Sequence, residues 1–308
     1  MADDEYSKIL AFIETFSYAF PEYILKQAKK EKTLHLITQV MNRTGKELSE
    51  AVILTLSLIK YILRDGEAFV LLEETKSFQH FMKVYHDRII ELSTQKNVQA
   101  NLPERALPFF EIFDKKIKDN DLPIAVIELG ASYGLVGYCL LNPTRVIEGK
   151  ERYLLPEQKI PRNPRAAAYY LGIEIEPPEK EWMLACEWEL DADQRLRNFL
   201  DDTQPTGNFR LLKANAFGFS KLEEVKNLAA QPFTIIVATS FMFYQFNKEK
   251  QKELRDEILR FIDPPGFHWI NQAVNIDGGP KESKFFIEWN GKEIMELPDD
   301  RCSNWWWK

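Results

Sequence analysis

The sequence predicts an α/β protein: a doubly wound, mostly parallel sheet that ends in an antiparallel hairpin, preceded by an all-helical N-terminal segment. Three observations carry that reading. Apolar runs such as Ile124–Leu129 and residues 233–238 alternate with amphipathic helical patterns, which implies parallel strands joined by helices. Asn290-Gly291, flanked by Lys284–Trp289 and Lys292–Leu297, is the preferred two-residue hairpin turn. Before Pro123 the apolar residues recur only at helical spacing. The expected division is a helical domain over residues 1–120 and a sheet domain over 121–308, with an insertion at about 142–165.

Taken in order, Ile9, Phe12, Ile13, Phe16 and Phe20 form one helical stripe before Pro21, and Leu34, Ile37, Val40 and Met41 form another. A third helix over 47–63 is expected to end at Gly66, which suits a C-terminal cap. Further helices are expected over 78–92 and 104–118, then a strand at Ile124–Leu129 and a helix at Leu135–Leu141. Pro143, Pro156 and Pro161 make 142–163 read as irregular, with a short hairpin around 152–155. Residues 166–171 read as a short helix leading into a strand over 172–178. A helix over 181–201 buries Trp182 and Trp188. Strands at Phe209–Lys213, 233–238 and 267–274 alternate with helices at 220–229 and Lys248–Phe261. The terminal Trp305-Trp306-Trp307-Lys308 is expected to dock on the body of its domain.

Composition narrows the class of function. A net charge of −7 argues against a general nucleic-acid binder, which carries a basic face. No apolar run reaches the roughly 18 residues of a membrane span. The start Met1-Ala-Asp-Asp-Glu5 lacks the basic residues of a signal peptide, so a cytoplasmic location is expected. Cys139, Cys186 and Cys302 form no C-x-x-C pair, and His35, His80, His86 and His268 show no metal spacing, so no metal site is expected. The oligomeric state leaves no mark in the sequence.

Chemistry concentrates after the first strand, in Glu128-Leu-Gly-Ala-Ser-Tyr-Gly134. A dinucleotide fingerprint starting at Gly130 fails twice, at Ser132 and Leu135. Gly130-Ala131-Ser132-Tyr133-Gly134 does match the nucleophile elbow G-x-S-x-G. An elbow serine, however, follows several earlier strands, and its histidine lies on a later loop. Here the first strand precedes Ser132, and His268, the one downstream histidine, falls inside an apolar strand pattern. The third candidate is the S-adenosylmethionine turn of class I methyltransferases, with an acidic residue two positions before the first glycine. Glu128 stands there. That reading expects Glu128, Gly130, Ala131, Ser132 and Gly134 around the methionine portion and Glu174 on the ribose hydroxyls, where a carboxylate makes charge-assisted hydrogen bonds. Asn215 and Ala216 would meet the adenine, Thr239 and Ser240 would lie near the methyl group, and Tyr244 is the candidate catalytic side chain.

The chain also resembles the bacterial family known as domain of unknown function 2332, through Glu128–Leu135, through Gly172-Ile-Glu-Ile-Glu-Pro-Pro-Glu179 with Trp182 and Trp188, and through Lys213-Ala-Asn-Ala216. The resemblance implies a class I methyltransferase-like fold rather than a particular reaction; S-adenosylmethionine as cofactor and a small-molecule acceptor are the expectations of the turn reading. Where that family usually has aspartate, this chain has Glu174 and Asn215. A non-catalytic cofactor-binding protein on the same fold is the alternative, and a serine hydrolase using Ser132 is the third.

Overall fold

The computed structural model describes residues 31–64, 78–96, 98, 102–118, 122–154, 158–187, 192–202, 207–275, 284–298, 302 and 304–308. The expected stripe from Ile9 to Phe20, the Gly66 cap and Trp188 lie outside them. The described residues group into two units, one within Met1–Ala100 and Pro178–Arg197, the other within Asn101–Pro177 and Asn198–Lys308.

In the first unit the helices Glu31–Thr44, Leu48–Leu63 and Phe78–Ser93 turn their apolar stripes inward. Leu36, Ile37, Leu54, Leu58 and Phe81 are fully buried there, and Trp182, from the short helix Lys180–Ala185, joins the same core. Glu181 beside it holds both Arg64, at 3.2 Å, and Arg197, at 3.0 Å.

The second unit is built on eight described strands: Ile124–Leu129 (β1), Tyr169–Glu174 (β2), Phe209–Lys213 (β3), Thr234–Ser240 (β4), Phe267–Asn275 (β5), Lys284–Trp289 (β6), Lys292–Leu297 (β7) and Trp306–Trp307 (β8). They form one sheet in the order β3-β2-β1-β4-β5-β6-β7-β8. The pairings from β3 through to β5 are parallel, and the three that follow are antiparallel. The expected α/β class, with a mostly parallel sheet and a closing hairpin, is therefore what the chain adopts. Every residue of β1 is buried, as a central parallel strand covered on both faces requires. One face packs Ile127, Leu129, Ile173, Val237 and Trp269 into a single core. From β1 the chain steps outward through β2 to β3, then returns to place β4 on the other side of β1. The carboxyl ends of β1 and β4 thus form the topological switch point, where open α/β sheets leave a crevice for ligands.

Two local expectations are corrected. The hairpin expected around 152–155 is replaced by short helices, Pro143–Glu148 and Lys150–Tyr153. Pro143 stands in the first turn, where its missing N–H costs nothing, and the Tyr153 hydroxyl ties the segment down by donating to Asp202 Oδ2 at 2.6 Å. The helix expected over 166–171 is absent, because β2 already begins at Tyr169 opposite Ala125. Burial of Tyr170, Leu171 and Ile173 between two neighbouring strands outweighs the local helix preference of the alanines before them.

The hairpin turn has φ 51° at Asn290 and 77° at Gly291, the left-handed pair its sequence specifies. The Asn290 carboxamide accepts the Trp269 N–H at 2.7 Å and so fixes the turn against β5. A Cβ on Gly291 would meet Arg255 Nη2 at an ordinary 3.4 Å, so strain rather than collision opposes substitution. Gly291→Val should cost about 1–2 kcal/mol, read as a lower urea midpoint with unchanged slope; an unchanged midpoint would contradict the turn geometry.

At the far edge, Trp305 is buried, and its indole N–H and that of Trp307 both donate to Glu111. The expected docking of the tryptophans is thus onto the helix Leu107–Lys116. No helix among the described residues is long and apolar enough to cross a membrane.

Candidate functional site

The turn after β1 carries three left-handed residues in quick succession: Gly130 at φ 70°, Ser132 at 52° and Gly134 at 79°. Glycine adopts such angles freely, whereas Ser132 must be held there. The end of β2 does the holding. Glu174 Oε2 accepts the Ser132 N–H at 2.8 Å while its Oε1 accepts the Ile175 N–H at 2.9 Å. The Ile173 carbonyl accepts from both Gly130, at 2.9 Å, and Ala131, at 3.2 Å. Three backbone donors of the turn are therefore used inside the protein rather than turned outward. Met242 comes over the turn from the end of β4, its Sδ 2.6 Å from where a Cβ on Gly130 would lie. Gly134 is backed in the same way by Phe209 and Leu211 of β3.

Glu128, two residues before Gly130, is only 2% exposed. The Tyr170 hydroxyl of β2 donates to its Oε2. Ser240 shares its face of the sheet, because Glu128 pairs with Ala238 and strand side chains alternate. The Ser240 hydroxyl is buried and makes no well-formed hydrogen bond. Burial pushes the Glu128 carboxyl up to about 8, against the lowering influence of Tyr170, Ser240 and Arg105 and with a further rise from Glu174. The unfolded carboxyl titrates near about 4.3, so the folded protein binds the extra proton. Stability from this group is full below that value and is lost as pH rises toward about 8. Melting temperature should show that decline, and Glu128→Gln should remove its share of it; an identical slope in the variant would contradict the burial argument.

The other expected site residues divide. Thr239 lies on the opposite face, where its hydroxyl accepts from Trp269 Nε1 at 3.0 Å and donates to Asn271 Oδ1 at 2.9 Å. Asn271 in turn donates to Glu288 at 2.7 Å, and Arg255 completes the chain at 3.0 Å, so Thr239 belongs to a buried packing network. Asn215 is exposed beyond β3, and its side-chain oxygen accepts the Phe217 N–H at 3.0 Å, bracing the turn. Ala216 is buried beside Phe219 in the opposite core. Tyr244 falls in the single 3-10 turn Phe243–Gln245, and its side chain lies outside the described residues. The structure thus brings Glu128, Gly130, Ala131, Ser132, Glu174 and Ser240 to one edge, with Asn215 at its margin.

Sequence reasoning missed four neighbours. Tyr170 precedes Gly172 and Glu174 at strand spacing, a pattern that could have pointed to it. Met242 follows β4, where only an apolar identity shows. Arg105, in the 3-10 turn Pro103–Ala106, lays its guanidinium 4.6 Å from the Phe241 ring centre, and its carbonyl accepts from Gln272 at 2.7 Å. No local signal marks Arg105 or Gln272, since both reach the site through tertiary packing.

Ser132 has the positive φ of an elbow residue, but His268, the one histidine of the second unit, does not approach it. His268 sits at the amino end of β5, paired with Ile236 and stacked on Trp289 at 4.6 Å, while Ser132 follows the carboxyl end of β1. No cluster of metal-ligating side chains occurs among the described residues. A groove of about 360 Å³ lined by Asp256, Leu259, Arg260 and Asp263 shares no residue with this edge. No protein-family model matches the chain, and no curated protein matches it.

Proposed function

We propose that the protein is an S-adenosylmethionine-dependent methyltransferase acting on a small molecule. One observation carries this reading: a left-handed, glycine-rich turn leaves β1 at the switch point and is braced by a carboxylate from the end of β2. The resemblance of the Glu128, Glu174 and Asn215 stretches to the domain of unknown function 2332 family supports it, and the class I methyltransferase-like fold is part of the same proposal.

The residues present fit the cofactor. Each Glu174 oxygen accepts one backbone N–H, which leaves lone pairs for ribose hydroxyls. The Ser240 hydroxyl lies on the Glu128 face without a well-formed hydrogen bond, and Met242 offers a soft apolar wall beside the turn. When bound, S-adenosylmethionine supplies an electrophilic methyl group. The chain's task is then alignment of an acceptor and exclusion of water, and held geometry alone can supply much of a rate enhancement. Glu174 orients the ribose end, Asn215 presents donor and acceptor groups at the β3 margin, and Ser240 and Glu128 line the floor between β1 and β4.

Incubation with methyl-labelled S-adenosylmethionine and a small-molecule extract tests the assignment. Label is expected in a small-molecule product. Saturable binding without transfer would favour a non-catalytic cofactor-binding protein, and labelling of Ser132 by a fluorophosphonate without cofactor binding would favour a hydrolase.

A further inference from the structure

Glu128 is a carboxyl group placed where ionisation is costly. It is almost wholly buried, it receives the Tyr170 hydroxyl on one oxygen, and no ion pair reaches it among the described residues. The groups around it come from four elements, and β4 contributes the Ser240 hydroxyl. β2 contributes Tyr170 and Glu174, the helix Leu135–Leu141 contributes the buried Cys139 thiol, and the 3-10 turn contributes Arg105. The guanidinium of Arg105 rests against Phe241 and acts on Glu128 from a distance rather than as a contact partner. A carboxylate here would lose hydration without a paired cation to offset the loss, so the neutral acid is favoured. A cation brought alongside reverses that balance.

We propose that Glu128 rests as a neutral acid and yields its proton to solvent when a cationic ligand, a sulfonium or an ammonium, enters the crevice at the switch point. This rests on the cofactor reading above and adds the charge that the site selects. In the step, the carboxyl O–H bond breaks, the proton passes to solvent, and no bond to the ligand forms. Tyr170 keeps its hydrogen bond and donates to the carboxylate produced. Binding and deprotonation are then linked, so affinity should rise about tenfold for each pH unit below the point where the free acid titrates.

Calorimetric titration of S-adenosylmethionine into the full chain at neutral pH, in buffers of different ionisation enthalpy, measures the proton directly. Close to one proton released per ligand is expected for the wild type and none for Glu128→Gln, which preserves shape and neutrality. A second readout needs no variant to fold. The infrared carbonyl band of a protonated buried carboxyl should be present in the free wild-type protein and lost on saturation with ligand. Binding without proton release, or a persistent acid band, overturns this inference and leaves the cofactor reading standing. Absence of binding at any pH overturns both.

Discussion

Trp305→Ala should destabilise the protein by about 3–5 kcal/mol, the range for deleting a buried large aromatic. Trp305 is 1% exposed, so its removal leaves an unfilled space rather than a surface change. It also strips Glu111 of a hydrogen bond and leaves Lys159, now 4.5 Å from the indole ring, without its aromatic face. Burial tends to raise the Glu111 carboxyl, but hydrogen bonds from Trp305, Lys115 and Trp307, together with the Lys159 charge, hold it below the usual range. Part of the stability lost in the variant should therefore be the part that the wild type itself loses on acidification through the folded value. Trp306 supplies the control. It is the next residue, 54% exposed at the start of β8, and Trp306→Ala should stay within about 0.5 kcal/mol. Urea denaturation of the two variants distinguishes them, and equal losses would contradict the docking of the terminus.

Glu174→Ala carries the largest expected effect on ligand binding. The carboxylate has two duties, bracing Ser132 at φ 52° and accepting ribose hydroxyls in the proposed complex. Losing the first leaves the Ser132 N–H without its acceptor, at about 1–3 kcal/mol. Losing the second removes charge-assisted hydrogen bonds, and S-adenosylmethionine affinity should fall at least tenfold, or about 1.4 kcal/mol. Glu174→Gln keeps an acceptor for the turn but not the charge, so it should retain more stability than affinity. Calorimetry on both variants reads the split. Affinity unchanged in Glu174→Ala would remove Glu174 from the ligand, whatever the turn does.

Much of this architecture was legible in the sequence because its signals are local. The apolar run of β1, the helix at Lys248–Phe261 and the Asn290-Gly291 hairpin each follow from a few adjacent residues. What escaped depends on distant pairing. β2 starts at Tyr169 because β1 and β3 lie on either side of it, a fact no window around the alanines contains. Trp182 reads as a buried face, yet the helix Leu48–Leu63, whose Tyr61 ring it meets, lies more than a hundred residues earlier. At the site, glycine spacing and the acidic residue at Glu128 pointed to the turn, but not to its internal hydrogen bonding. Thr239 and Ser240 are adjacent in sequence and face opposite sides of the sheet, and strand alternation alone could not say which faces Glu128.

The most direct test is a crystal structure of the protein with S-adenosylhomocysteine, the demethylated form of the proposed cofactor. The account predicts a nucleoside across the carboxyl ends of β1, β2 and β4, its ribose on Glu174 and its amino-acid end beside Gly130 and Ala131. A ligand held elsewhere on the chain, or an edge still filled by Met242 at saturating ligand, would contradict it.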